Sequence, residues 1–411
     1  MRKTILFTGL MLAVLVTGCS NAERGTNPEP VEELNLTSEQ AAVVSSADDF
    51  GLGLYQRVVE ARPDENLFLS PLSISIALGM ALDGAKGETR EAILECLRLS
   101  GAEFDEVNST YAQLMHKLPR LDPNVTMEIA NSAWYRQGFP IKDSFLELTD
   151  SIFAAEVAAL DFSDEATAGI INDWVSDKTH GKIDGIVKPP IDPLTMLFLI
   201  NAVYFYGDWT TQFDSADTRT APFRLADGSS TPCELMHMKD DLQYYGDDEL
   251  QVVRLPYGNG SFAMLAMLPA EGTPINSLIA DVTVDQWHQW LSGLSELEVE
   301  LFMPRFTYEF EISLGHILSD MGMGIAFSRA ADFTAIADVS DLHISEVKHK
   351  AFVDVNEAGT EAAAVTSIEM GTTAVGPTHP VIRLDRPFAF IIYERSTGTM
   401  VFAGKVAEPK S

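Results

Sequence analysis

The side chains of this sequence that could do chemistry are eight histidines, three cysteines and 60 aspartates and glutamates. Nucleophilic hydrolysis would want a GxSxG elbow, zinc hydrolysis an HExxH helix, and phosphate binding a Walker-type glycine loop; none is present. Gly51 and Gly53 do not continue into a dinucleotide fingerprint. His237 and His349 have no carboxylate or second histidine at ligand spacing, so they read as structural or surface groups and no metal site is expected. Carboxylate pairs arise by chance in so acidic a chain, and a solvated acidic face is their simplest reading. A catalytic triad assembled in space leaves no sequence signature, so an enzyme stays open as a class, without positive support.

The cysteines are Cys19, Cys96 and Cys233, with no CxxC, which argues against a zinc site or redox pair. Cys96 and Cys233 are expected to be free, buried thiols in a core too large to need a staple. Cys19 follows a basic start at Arg2 and Lys3 and an apolar run from Ile5 to Val16. That run is a secretory signal, too short for a confident spanning helix. Its end, Val16-Thr17-Gly18-Cys19, resembles the lipobox of prokaryotic lipoproteins, which implies lipidation of Cys19 and a lipid anchor at the cell envelope, on an extracellular or periplasmic face. An ordinary cleaved signal with a chance cysteine is the simpler alternative.

Basic residues number 28 against 60 acidic ones, a formal charge of −32. Cutting before Cys19 removes Arg2 and Lys3, leaving 26 against 60, or −34. Such a surface repels nucleic acid, anionic lipid and sulfated glycans, so none of these is expected as a partner.

Residues 1–18 therefore read as a signal, and 19–45 as an acidic tether broken by Pro28 and Pro30. A flexible tether of about 25 residues reaches roughly 25–30 Å. The body, 46–411, is long enough for one large domain or two ordinary ones. Phe50, Leu54 and Val58 predict a helix over 47–59. A short strand should reach Ser70, with an apolar helix after Pro71 and a second helix beyond Gly84 and Gly87. Residues 125–135 read as a strand. An amphipathic helix follows, with Ile170, Ile171, Trp174 and Val175 on one face and Gly181 as its stop. "TMLFLINAVYFYGDW" predicts a strand covered on both faces. "SFAMLAMLP" and "ELEVELFMPRF" are further strands, "ISLGHILSDMG" a helix ending at Gly322, and the last hairpin turns near Thr397-Gly398. Without a βαβ rhythm or internal repeat, the class is α+β.

One segment stands out. "NEAGTEAAAVTSIEMGTTAVGPTHP", Asn356 to Pro380, carries no Lys or Arg. Counted by twos from Thr360, the set Thr360, Ala362, Ala364, Thr366, Ile368 and Met370 holds no charge. Glu361 and Glu369, with Ala363, Val365 and Ser367 between them, form the other set, and Glu357 falls on it too. Period two marks a strand with one buried face. A helix is the competing reading of "TEAAAV", weakened by Val365, Thr366 and Ile368. An ordinary strand would carry larger inward residues. Small ones suit a segment that slides between two strands already in place.

Six blocks in order resemble the serpin family, across roughly residues 46–408: "NLFLSPLSISIALGMALDGAKGETREAI", "INDWVSDKTHGKI", "LINAVYFYGDW", "EVKHKAFVDVNE", the hinge "NEAGTEAAAVTS" and "LDRPFAFIIYE". The resemblance implies three β-sheets, about nine helices and an exposed reactive-centre loop. It implies a hinge at Glu357, Gly359, Thr360, Glu361, Ala362, Ala363, Ala364, Val365 and Thr366, with Gly359 as the pivot and Thr360 the first residue to insert. It assigns Ser70, Ser73, Asn201 and His349 to a polar cluster under the central sheet, Trp209 to the point where the loop first inserts, and Arg305 to a bridge with Glu357. Taken alone, Ser70 and Ser73 would be helix caps and Trp209 core packing.

The implied function is suicide inhibition of a serine protease by loop insertion, with no catalytic residue and no cofactor of its own. The family register puts the reactive bond at Thr373–Ala374; counting back from Pro387 moves it about three residues, giving a window of Thr372 to Val375. Small residues there suit an elastase-like or subtilisin-like protease. The alternative is a non-inhibitory binding or chaperone module, whose hinge often carries bulky or charged inward residues. Between Leu97 and Pro123 only Arg98, Lys117 and Arg120 are strong bases, so glycosaminoglycan activation is not expected. A monomer is expected.

Overall fold

The structure, a computed structural model, describes residues 33–360 and 379–410. The chain begins with α1 (Ser38–Ala61), β1 (Leu67–Leu69), α2 (Pro71–Gly84), α3 (Gly87–Cys96) and α4 (Phe104–Lys117). Then come β2 (Val125–Arg136), α5 (Asp143–Phe153), β3 (Glu156–Leu160), α6 (Thr167–Lys178) and β4 (Leu197–Asp208). β5 (Arg219–Arg224), β6 (Ser230–Gly246), β7 (Leu250–Tyr257) and β8 (Phe262–Pro269) lead to α7 (Ile275–Asp281) and α8 (Val284–Gly293). β9 (Ser295–Pro304), β10 (Phe306–Ser313), α9 (Gly315–Leu318), β11 (Lys348–Val355) and β12 (Gly359–Thr360) follow. β13 (Val381–Arg383), β14 (Phe388–Glu394) and β15 (Met400–Val406) close the chain.

α1 starts earlier than the 47–59 reading. Thr37 and Gln40 form a reciprocal capping box, so residues 38–45, assigned above to the tether, are the first turns of this helix. Val43, Val44, Phe50, Leu54 and Val58 are buried along it. α2 begins where Ser70 accepts the Ser73 amide at 3.2 Å and Pro71 fixes the first helical residue.

The strands lie in two sheets. The six-stranded one runs β10-β11-β12-β4-β2-β3. The nine-stranded one runs β1-β15-β14-β8-β7-β6-β9-β13, with β5 on β6. The third sheet implied by the family is continuous with the second, because β6 pairs with β9 along Leu235–Tyr244 and with β7 over Gln243–Gly246.

The main core lies between the two sheets and under α1 and α2. A smaller core of Trp134, Ile171, Trp174, Val175 and Ile200 seats α6 on the other face of β2 and β4. β2 and β4 are thus covered on both faces. Ile170, expected on the apolar face of α6, is instead 47% exposed; Ala168 takes its place in the contact. The helix expected to end at Gly322 is only α9, followed by a wider turn that Gly322 closes at φ 106°.

Candidate functional site

β11 and β4 are both antiparallel to β12, hence parallel to each other. Among the described residues they pair through β12 and not directly: Thr360 lies opposite Val355 on one side and Gly207 on the other. Below Thr360 a small cavity between them is lined by Val203, Phe205 and Phe352. Two strands parted beyond a two-residue wedge offer unmatched ladder groups to any chain that continues the wedge.

The wedge is held by a dense set of contacts. Thr360 is 3% exposed, and its hydroxyl shares a 2.7 Å hydrogen bond with the Tyr257 hydroxyl. Burial pushes the Tyr257 phenol well above its ordinary range, so it stays neutral. Trp209 stacks on Tyr257 with centroids 4.5 Å apart. The Trp209 indole donates to the Asn356 carbonyl at 3.0 Å, and its amide to the Ala358 carbonyl at 2.8 Å. Gly359 sits against backbone: a Cβ there would lie 2.6 Å from the Asp208 Cα. In this structure the glycine serves close approach and not an unusual φ.

The Glu357 side chain is 3% exposed and takes the Arg305 guanidinium at 2.6 and 2.7 Å from Nε, with a third contact from Nη2. The Thr218 hydroxyl also donates to it. A buried carboxylate is costly unless paired and hydrogen-bonded, and this one is both.

A second polar cluster lies lower, between α2, β4, β2 and β11. The Ser70 amide donates to His349 Nε2 at 3.2 Å, and the Ser70 hydroxyl to the Val401 carbonyl at 2.8 Å. Ser73 donates to Asn201, whose amide donates to Asn131 at 2.7 Å; Asn131 in turn reaches the Phe153 carbonyl at 2.8 Å. His349 must be neutral, with Nε2 bare, to accept an amide proton. Burial drives its pKa down to about 4. The unfolded histidine, with a pKa near 6.5, takes up a proton that the native one refuses. Stability is therefore full above about pH 6.5 and falls, by about 3 kcal/mol, as the pH drops toward 4. Urea unfolding of the wild type and His349→Gln at several pH values checks this: the wild type's margin over the variant should shrink by that amount, and a constant margin would contradict it.

Cys96 and Cys233 are free and buried. Burial pushes their pKa values up to about 12 and about 11, so neither is a thiolate nucleophile at neutral pH. No group of three His, Cys, Asp or Glu among the described residues is placed to hold a metal ion.

The family model for serpins, serine protease inhibitors, matches residues 45–409. The chain belongs to the serpin family. Among its relatives is Iripin-2 of Ixodes ricinus, 35% identical over 90% of this chain and 94% of that protein. The native-state structure of the thermophilic serpin tengpin superposes with a TM-score of 0.82 at 31% identity, covering 92% of this chain and 96% of tengpin. Thyroxine-binding globulin, in complex with thyroxine, matches as well: TM-score 0.82, 30% identity, 90% and 100% coverage.

In this serpin the residues named from the sequence fall into two places. Glu357, Gly359, Thr360, Trp209 and Arg305 meet at the wedge, and Ser70, Ser73, Asn201 and His349 meet below it. Glu361 through Thr366, the Thr372–Val375 window and Cys19 lie outside the described residues. Sequence reasoning missed Tyr257, Thr218 and Asn131. Asn131 left a signal: it is a lone amide in the apolar run "MEIANSAWY". Tyr257, in "RLPYGNG", left none.

Proposed function

We propose that this serpin inhibits serine proteases by inserting its own loop between β4 and β11. The carrying observation is the register of Thr360 between Gly207 and Val355. Continued in two-residue steps, that register sets Ala362 opposite Phe205 and Val353, then Ala364 opposite Val203 and Ala351. Thr366 comes opposite Asn201 and His349, the two polar strand residues of the lower cluster. Directly opposed residues share a face, so small side chains meet the core and a hydroxyl meets the amide and imidazole. The hinge carries no bulky or charged inward residue, which supports inhibition over the non-inhibitory reading.

The target's serine attacks the carbonyl of Thr373, within the Thr372–Val375 window. The peptide bond breaks, the Ala374 amine leaves, and the acyl-enzyme forms. Insertion of the freed strand drags the protease across the molecule before water can deacylate it. The serpin contributes stored free energy and no catalytic group. The small residues of the window support an elastase-like or subtilisin-like target. The Cys19 motif supports an exported, lipid-anchored protein, with the acidic surface turning away glycosaminoglycans and nucleic acid.

Mass spectrometry of the released C-terminal peptide tests the register. Digestion with an elastase-like protease is expected to yield a peptide beginning at Ala374. Trypsin should not cut the loop, since residues 356–380 hold no Lys or Arg. A cut outside Thr372–Val375 by the inhibited protease would overturn the assignment.

A further inference from the structure

Beside the wedge, a cavity of about 200 Å³ opens between β6, β7 and the start of β9. Its apolar wall is Trp209, Leu242 and Leu255, all buried. Two half-buried arginines, Arg254 and Arg395, also line it. Among the described residues neither has a carboxylate oxygen within ion-pairing distance of 4.0 Å. Arg395 spends Nη1 on the Gly260 carbonyl at 2.7 Å, while its buried Nε has no acceptor. The Tyr393 hydroxyl is buried against Arg254, which interacts with it. Arg254 and burial together pull the Arg395 pKa down. The cavity lining thus combines two guanidiniums with two exposed carboxylates, Asp241 and Glu296, yet the buried Arg395 Nε is left without an acceptor, a deficit that an anion fills.

The geometry points to a binding site for a small amphipathic anion, a monocarboxylate with a short apolar tail, in the cavity formed by Arg254, Arg395 and Trp209. The volume is below the ~300–1,000 Å³ of drug-sized clefts, which favours a fragment over a polymer. Asp241 and Glu296 are exposed on the rim and would repel polyanions, leaving room for one anionic head directed inward. Guanidiniums pair with carboxylates in bidentate fashion, and Trp209 and the leucines cover the tail. This site does not depend on the inhibitory reading.

Octanoate, octanol and octylamine titrated into the intact protein by calorimetry test it. Octanoate should bind at one site per chain, with octanol and octylamine at least tenfold weaker. Arg254→Ala and Arg395→Ala should each weaken octanoate roughly tenfold or more, as expected for losing a charged hydrogen bond. Arg254→Lys keeps the charge and should lose less, and its melting curve guards against misfolding. Saturable octanoate binding that is equal in the double alanine variant, or no saturable binding to the wild type, would overturn the site.

Discussion

On the proposed insertion mechanism, Thr360→Arg is expected to turn this serpin from an inhibitor into a substrate. Thr360 is buried on the core side of the wedge, its hydroxyl bonded to Tyr257. A guanidinium there would face Tyr257, Trp209 and the main core, with Glu357 of the same segment already committed to Arg305. An uncompensated buried charge costs about 3–5 kcal/mol. Inhibition is a race between insertion and deacylation, and each 1.4 kcal/mol on the insertion barrier shifts it about tenfold. The yield of trapped protease should fall by about a hundredfold or more while cleavage stays fast. Thr360→Ser keeps the hydroxyl and should retain most of the yield. Complex yield per cleaved molecule, read on denaturing gels, decides; an undiminished yield for the arginine variant would contradict insertion at Thr360.

Cleavage in the loop should leave the two fragments together and more heat-stable than the intact chain. The inserted strand would satisfy the facing ladder groups of β4 and β11, which among the described residues pair only at β12. A dozen new bonds at about 1 kcal/mol each give on the order of 10 kcal/mol. A domain spanning residues 45–409 unfolds with an entropy of about 0.8 kcal/mol/K, so its melting temperature should rise by about 10–15 °C. Scanning calorimetry of intact and cleaved protein checks the rise. Hydrogen exchange should place the new protection on Leu199–Gly207 and Lys348–Val355. An unchanged or lower melting temperature would show that cleavage releases nothing.

Of the segment singled out in the sequence, Gly359 and Thr360 form the strand β12, where the period-two count begins; the rest of that pattern, from Glu361 on, lies outside the described residues. β4 was legible because a near-continuous apolar run needs cover on both faces, and α6 and the main core supply it. What stayed hidden was long-range. β5 and β6 were not read at all, since Lys239, Asp240 and Asp241 interrupt β6 in the middle of its pairing with β9. The start of α1, Ser38-Glu39-Gln40, is polar and depends on the Thr37–Gln40 cap, so the tether absorbed it together with the residues to Ser45. Tyr257 joins the wedge only because β7 ends beside Trp209, a bridge of residues nearly 50 apart that no local pattern records. The reason for Gly359 was equally non-local, since the backbone it must approach belongs to β4.

The central claim is that a protease attacking this loop is trapped. The direct measurement mixes the tether-free domain with an elastase-like protease, a subtilisin-like protease and trypsin, and runs each mixture on a denaturing gel. A denaturant-resistant band near the summed masses is predicted with the elastase-like or subtilisin-like enzyme and not with trypsin. Clean loop cleavage by the elastase-like and subtilisin-like proteases, with no such band, would contradict the account and leave a binding module as the function of this fold.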